Sequence, residues 1–306
     1  MSRTGNLRLF IGASAATIGL TGCADSTRVE LQGEAALVLP GVVSSSYSEV
    51  RLAISPDGRS AAWGSTNRPG GRGGWDIWLS SKRRDGTWST PTVAPFCSAA
   101  NDFDPAFSPD GRALYFFSNR AGGFGGDDIY RVSFDGTRWG NPVNLGPNVN
   151  SSGDEWAPVV SPDGQRLLFA SNGRGGRGRH DLFTARLQND GFTLAVPVPG
   201  IVNTTADEFD GTWLADGRTI VFARAPNLEK DQINLYVAYE SSGSYAAEGK
   251  LSLSVNTAST DTLGPAIDPS RPLRLLFSGS RSEKSTGQMD IFEIDYRFVP
   301  PHRQLK

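Results

Sequence analysis

Apolar residues come in short bursts along this chain, separated by polar turns. Ala113-Leu114-Tyr115-Phe116-Phe117 is one burst and Asp128-Ile129-Tyr130 opens the next, with the glycine-rich stretch Asn119-Arg120-Ala121-Gly122-Gly123-Phe124-Gly125-Gly126-Asp127 between them. Bursts this short and this aromatic predict strands. The phrase Ser-Pro-Asp-Gly stands at residues 55–58, 108–111 and 161–164, always 53 residues apart. Proline presets φ and glycine accepts positive φ, so the phrase predicts a tight turn after each first strand.

Other landmarks keep the interval. Asp57, Asp110, Asp163 and Asp216 mark the turn, the last in a weakened Leu214-Ala215-Asp216-Gly217, and Asp268-Pro269-Ser270-Arg271 is a fifth, degraded copy. Upstream an acid recurs as Glu49, Asp102, Glu155, Glu208 and Asp261, six residues after Val43, Phe96, Val149, Val202 and Val255. Downstream come Asp76-Ile77-Trp78, Asp128-Ile129-Tyr130, Asp181-Leu182-Phe183, Asn234-Leu235-Tyr236 and Asp290-Ile291-Phe292.

Each unit therefore parses into four antiparallel strands, the size of a propeller blade. Five full units counted from Glu49 would overrun Lys306, so the fifth lacks its fourth strand. The stretch Ala35 to Val43 matches Pro142 to Val149, which closes another unit, and is the expected replacement. The fold class expected is all-β: a five-bladed β-propeller whose N-terminal strand completes the last blade and removes its free edges, with six blades as the alternative. One propeller domain over residues 35–297 is expected, with a tail at 298–306.

The N-terminus changes the setting. Arg3 and Arg8 precede the apolar run Leu9 to Leu20, which is shorter than the roughly 20 apolar residues a spanning helix needs. Leu20-Thr21-Gly22-Cys23 resembles the bacterial lipoprotein signal box. That resemblance implies a signal peptide over residues 1–22, lipidation of Cys23, a tether at 23–34 and, with Ala24 following, placement on the periplasmic face of the outer membrane. An ordinary secretory signal is the alternative. Cys97 is then the remaining cysteine, expected as a small core residue.

Composition agrees with strands and turns: 36 glycines and 19 prolines in 306 residues. A net charge of −2 argues against a nucleic-acid partner.

The turn, the apolar strand and the Asp-Ile-Tyr strand together resemble the WD-like repeat of TolB-like propellers over residues 35–297. Those usually have six blades, so their partner surface does not carry over to this chain. The glycine-rich loop at 119–128 is similar to loops in propellers joined to peptidoglycan-binding domains.

Candidate chemistry gathers on one face. Glu49, Asp102, Glu155, Glu208 and Asp261 would ring one mouth of the central channel, beneath the glycine-rich loops. Arg68, Arg120, Arg174, Arg224 and Arg281 could neutralise them. Two residues beyond each acid the repeat loses its identity: Arg51, Asp104, Ala157, Asp210 and Leu263. Arg51, Asp104 and Asp210 are thus candidates for a polar channel pocket.

The function expected is a non-catalytic binding or scaffold module for an envelope protein, a polysaccharide or peptidoglycan, meeting the membrane through its lipid alone. The alternative is a carbohydrate-active, furanosidase-like enzyme using channel carboxylates, which would need two of them in unlike environments. No catalytic residue, cofactor or metal is assigned. The chain has two histidines and no Gly-x-Ser-x-Gly elbow, and His180 reads as an exposed loop residue.

Overall fold

The structure is a computed structural model that describes residues 28–189, 191–281 and 284–300. The signal segment, Cys23 and His302 lie outside the described residues.

Five antiparallel sheets are arranged in a ring. Blade I comprises Ser48–Ile54, Ser60–Thr66, Trp75–Ser81 and Thr92–Val93. Blade II comprises Asp102–Phe107, Ala113–Ser118, Asp128–Ser133 and Val143–Asn144. Blade III has Glu155–Val160, Arg166–Ser171 and Asp181–Gln188, with its outer edge split into Gly191–Phe192 and Val196–Pro197. Blade IV has Asp207–Trp213, Ile220–Ala225, Asn234–Ser241 and Ser244–Lys250. Blade V has Thr262–Ile267, Arg274–Gly279 and Asp290–Val299, completed by Arg28–Leu37. Each inner strand packs on the next, and that of blade V packs on that of blade I.

The closing strand pairs antiparallel with Asp290–Val299, from Arg28↔Val299 to Leu37↔Phe292. It starts at Arg28 rather than at Ala35, so the ordered fold reaches into the stretch expected as tether. The last strand likewise runs through Val299, past the expected boundary at 297.

The turn motif forms for the reasons its residues suggest. Gly58 sits at φ +66°, and Asp57 Oδ1 accepts the Arg59 amide at 3.0 Å. Ser55 Oγ accepts the Ser60 amide at 2.8 Å, which starts the second strand. Between second and third strands each blade places two large rings opposite each other: Trp63↔Trp78, Phe116↔Tyr130, Phe169↔Phe183, Phe222↔Tyr236 and Phe277↔Phe292. Nine of these ten rings are buried and Tyr236 is half-buried, and aromatic rings remove large apolar areas from water.

A clasp then ties each connection to the blade it leaves. Ser44, Cys97, Asn150, Asn203 and Asn256 are themselves 53 residues apart. Each engages both main-chain groups of one third-strand residue: Ile291, Ile77, Ile129, Leu182 and Leu235. Cys97 occupies the asparagine position, as a buried core thiol. Burial pushes its pKa up to about 12. Ser44, which leads out of the closing strand, holds Ile291 of blade V and so secures the ring.

Candidate binding site

The repeated acids belong to the scaffold. Glu49, Asp102, Glu155 and Glu208 are fully buried. Each accepts the main-chain N–H of the residue four earlier: Ser45 at 3.1 Å, Ser98 at 2.5 Å, Ser151 at 2.8 Å and Thr204 at 2.8 Å. The Ser or Thr hydroxyl at the same position donates to the same carboxylate. The acid therefore fixes the turn that feeds its strand. Burial pushes the Glu49 carboxyl up to about 7, and Glu155 and Glu208 shift the same way.

The arginines bind either the acid of their own blade or carbonyls of the connection arriving from the blade before. Arg120 pairs with Asp102, Arg224 Nε lies 2.7 Å from Glu208, and Arg68 is 3.8 Å from Glu49. Arg174 instead donates to the carbonyls of Val149 at 3.0 Å, Pro147 at 2.9 Å and Asn150 at 2.9 Å. Arg281 reaches the Ser254 carbonyl at 3.0 Å. Four of these guanidinium groups also lie over the paired rings, from 4.8 Å for Arg224 over Tyr236 to 5.2 Å for Arg281 over Phe292.

The fifth acid departs from the expected ring. The connection into blade V carries one extra residue between Asn256 and its strand, so Thr262 pairs with Gly279 where the other blades place their acid. Asp261 falls one position earlier, beside Asn101, Asp154 and Asp207 in the alignment of blades. Like them it accepts a main-chain N–H from the preceding blade's glycine loop or its counterpart, here that of Ile233 at 2.9 Å. It also lines a shallow groove of about 500 Å³ with Lys230, Gln232 and Gln288.

The glycine loops are scaffold at their bases. Asp76 and Asp181 Oδ2 each accept two consecutive loop amides, and Asp128 Oδ2 accepts the Phe124 amide at 2.6 Å. A Cβ on Gly123 would stand 1.9 Å from Asp128 Oδ2, and one on Gly125 would stand 2.1 Å from the Gly153 carbonyl of the next blade. Glycine is required there by close approach to a carboxylate and to a neighbouring chain. The loop tips remain open, with Phe124 51% exposed in blade II and Arg177 and Arg179 exposed in blade III. Trp75 is half-buried against Phe103, ring centroids 4.2 Å apart.

Asymmetry lies deeper. Every inner strand carries a bulge, and the residue there is left-handed: Arg51 at φ 52°, Asp104 at 51°, Ala157 at 50°, Asp210 at 51° and Gly264 at 59°. Leu263, the expected fifth member, gives way to Gly264 because of the inserted residue. The structure does bring Arg51, Asp104 and Asp210 within electrostatic reach of one another, all buried. Asp210 Oδ2 accepts the Gly264 amide at 2.9 Å and Arg51 Nη2 donates to the Gly211 carbonyl at 3.3 Å, whereas Arg51 Nη1 and Asp104 Oδ1 have no partner. Burial and the charge on Asp210 push the Asp104 carboxyl well up; burial raises Asp210, with Arg51 and the Gly264 amide opposing. Both shifts are upward, the larger at Asp104, so of the two carboxyl groups Asp104 ionises the less readily.

His180 was expected at the surface and is buried instead. Its Nδ1 lies 3.0 Å from Asp207, its Nε2 is 3.2 Å from Asn172, and its ring stacks on Trp156 with centroids 4.1 Å apart. Trp156 Nε1 donates to Asp127 Oδ2 at 2.8 Å. Nothing in the period announces this cluster, because His180 breaks the repeat; its adjacency to Asp181 was the available signal.

The cavity at the channel axis opens at the other mouth, among the Pro-Asp-Gly turns. It measures about 340 Å³, and Arg51 forms part of its lining.

No protein-family model and no curated protein matches the sequence. Among solved structures the ring is similar to TolB from Acinetobacter baumannii, at 17% identity and a TM-score of 0.50 over 82% of this chain and 56% of that one. It is similar to a structure described as TolB from Agrobacterium tumefaciens, at 15% identity and 0.50, over 91% and 100% of the two chains. It is also similar to an α-L-arabinofuranosidase from Podospora anserina in complex with cellotriose, at 12% identity and 0.51, over 90% and 98%. The chain spans little more than half of the Acinetobacter protein. The class of protein is therefore a five-bladed β-propeller of TolB-like fold. At these identities the likeness concerns the fold.

Proposed function

We propose that this propeller is a non-catalytic binding module of the bacterial envelope. It resides in the periplasm, held to the outer membrane through Cys23, and engages an envelope protein or a polymer such as peptidoglycan with its glycine-loop face. One observation carries the reading: the carboxylates that repeat around that face are buried and committed to turn amides, hydroxyls and arginines. They hold the blades and leave no acid–base pair facing a cleft. What varies from blade to blade on that face suits recognition: the exposed Phe124, the basic tip around Arg177, and the shallow polar groove beside Asp261. The test is photo-crosslinking from position 124 in intact cells. A discrete adduct that Arg177→Glu weakens is expected; adducts formed equally from any surface position would defeat the reading.

The enzyme alternative has one observation in its favour. Asp104 and Asp210 are carboxyl groups in unlike surroundings, with Asp104 raised the more strongly, and an unlike pair is what glycoside hydrolysis requires. Their burial argues the other way, since neither lines the channel cavity. Turnover of aryl arabinofuranosides that disappears in Asp104→Asn would establish it.

A further inference from the structure

We infer that the turn face of the propeller lies on a phospholipid bilayer, an inference that rests on the Cys23 anchor proposed above. The blade I hairpin at Lys82-Arg83-Arg84 meets anionic headgroups, and the glycine-loop face is turned away from the lipid. The direction of the closing strand decides where the anchor enters the ring. In blades I, II and III the third strand ends beside the Pro-Asp-Gly turn: the amides of Lys82, Phe134 and Leu187 donate to the carbonyls of Arg59, Arg112 and Gln165 at 2.7, 2.7 and 2.8 Å. Blade V repeats the contact from the Tyr296 amide to the Leu273 carbonyl at 2.9 Å. Its last strand continues from there to Val299, which faces Arg28. The closing strand therefore starts at the turn face and runs toward the loop face, where Leu37 faces Phe292.

Length then limits the orientation. Cys23 precedes Arg28 by five residues, and five extended residues span at most about 18 Å. The closing strand has ten residues, which cover about 33 Å. Such a tether brings the turn face of blade V to the bilayer and is too short to carry the loop face there. Charge separates the turn face from the outer edge of blade V. The closing strand sets Arg28 against Glu30 and Glu34, all three exposed, so that edge carries no excess of positive charge. Blade I adjoins blade V in the ring, and its turn-face end exposes Arg59, Lys82, Arg83 and Arg84 against Asp57 and Asp85. Basic side chains held at an anionic membrane surface are each attracted to it. Leu187 and Leu273, 41% and 48% exposed, stand on the same face, and apolar side chains there suit the boundary between headgroups and acyl chains.

The test uses the full-length protein, purified from bacterial membranes and reconstituted in vesicles of phosphatidylethanolamine and phosphatidylglycerol, with a nitroxide on some of the headgroups. One added cysteine carries a dye, either Arg112→Cys on the turn face or Phe124→Cys on the loop face, both exposed positions. Cys97 is buried and stays unlabelled. Emission from position 112 is expected to be quenched and emission from position 124 to be unchanged. Lys82→Gln combined with Arg84→Gln weakens the headgroup contact by about thirtyfold. Quenching at 112 is therefore expected to fall in that variant, and also in about 1 M salt, which screens the charges, while the protein stays on the vesicles. Vesicle-bound protein quenched as strongly at 124 as at 112 would overturn the orientation and leave the anchor standing. Quenching at 112 indifferent to both salt and the double substitution would overturn the headgroup contact. An intact mass showing Cys23 without lipid, together with no vesicle binding, would remove the anchor and the inference with it.

Discussion

Asn150 grips both main-chain groups of Ile129: Oδ1 accepts the Ile129 amide at 2.8 Å and Nδ2 donates to its carbonyl at 3.0 Å. The strand end is thus sealed by a side chain from the connection that leads to the next blade. Cys97 repeats the arrangement on Ile77 with longer bonds, 3.3 Å to the amide and 3.6 Å to the carbonyl.

The comparison yields a stabilising substitution. Cys97→Asn restores the residue found at three equivalent positions and replaces two weak sulfur contacts by amide hydrogen bonds. A gain of about 0.5–1 kcal/mol is expected, read as a higher midpoint in urea unfolding. The native Cys97 thiol, buried and with its pKa pushed up to about 12, should stay unreactive to thiol reagents until the protein unfolds.

Ala157 holds a left-handed backbone at φ 50° with a methyl group that makes no hydrogen bond. Ala157→Gly relieves about 1–2 kcal/mol of conformational strain and returns part of it through the freer unfolded chain. A net gain of about 0.5 kcal/mol, seen as a small rise in Tm, is expected. The same change at Arg51 would give up the guanidinium and should not be neutral.

The channel aspartates should respond unequally. Asp104 is the carboxyl pushed up the more strongly, so Asp104→Asn gives up the less favoured charge and is expected to leave stability at pH 7.5 within about 0.5 kcal/mol. Asp210 is the carboxyl whose upward shift Arg51 and the Gly264 amide oppose, and Asp210→Asn weakens that pairing with the buried guanidinium. A loss of about 3 kcal/mol is expected. Equal costs would show that the two carboxyl groups share the charge.

Stability should also fall as pH rises through the range where Glu49 differs between states. Its unfolded value is 4.5 and its folded value about 7, so between the two the native state keeps a proton that the unfolded chain has lost. Unfolding free energy then decreases with rising pH, by at most about 1.4 kcal/mol per unit for one such group. Asp57, Asp110 and Asp163, lowered by their serine hydroxyls, act in the opposite sense in more acid solution. The difference between wild type and Glu49→Gln isolates the effect: the variant should show a flatter dependence of Tm on pH between 5 and 7.5.

The fold was legible because a repeat states each constraint several times. The Pro-Asp-Gly turns, the recurring Asp-Ile-Tyr strand and the missing fourth strand of the last unit were each readable from spacing, and they fix five blades closed by the front strand. The site was harder. The bulge at Arg51, Asp104, Ala157 and Asp210 shows no residue signature, since three different residue types adopt the same left-handed conformation. The single inserted residue before Thr262 moved Asp261 out of the acid position, although its spacing in the sequence matched. The acids recurred because turn geometry recurs, and a period cannot distinguish that from a ring of ligands.

The central claim is that the loop face binds a macromolecule and that the carboxylates around it are structural. The most direct test places a photo-crosslinking residue in turn at Phe124, on the glycine-loop face, and at Asp110, on the turn face, in the full-length protein in cells. A discrete envelope adduct from position 124 and none from 110 is the expected result. An adduct from 110 alone, or none from either alongside hydrolysis of an arabinofuranoside lost in Asp104→Asn, would contradict it.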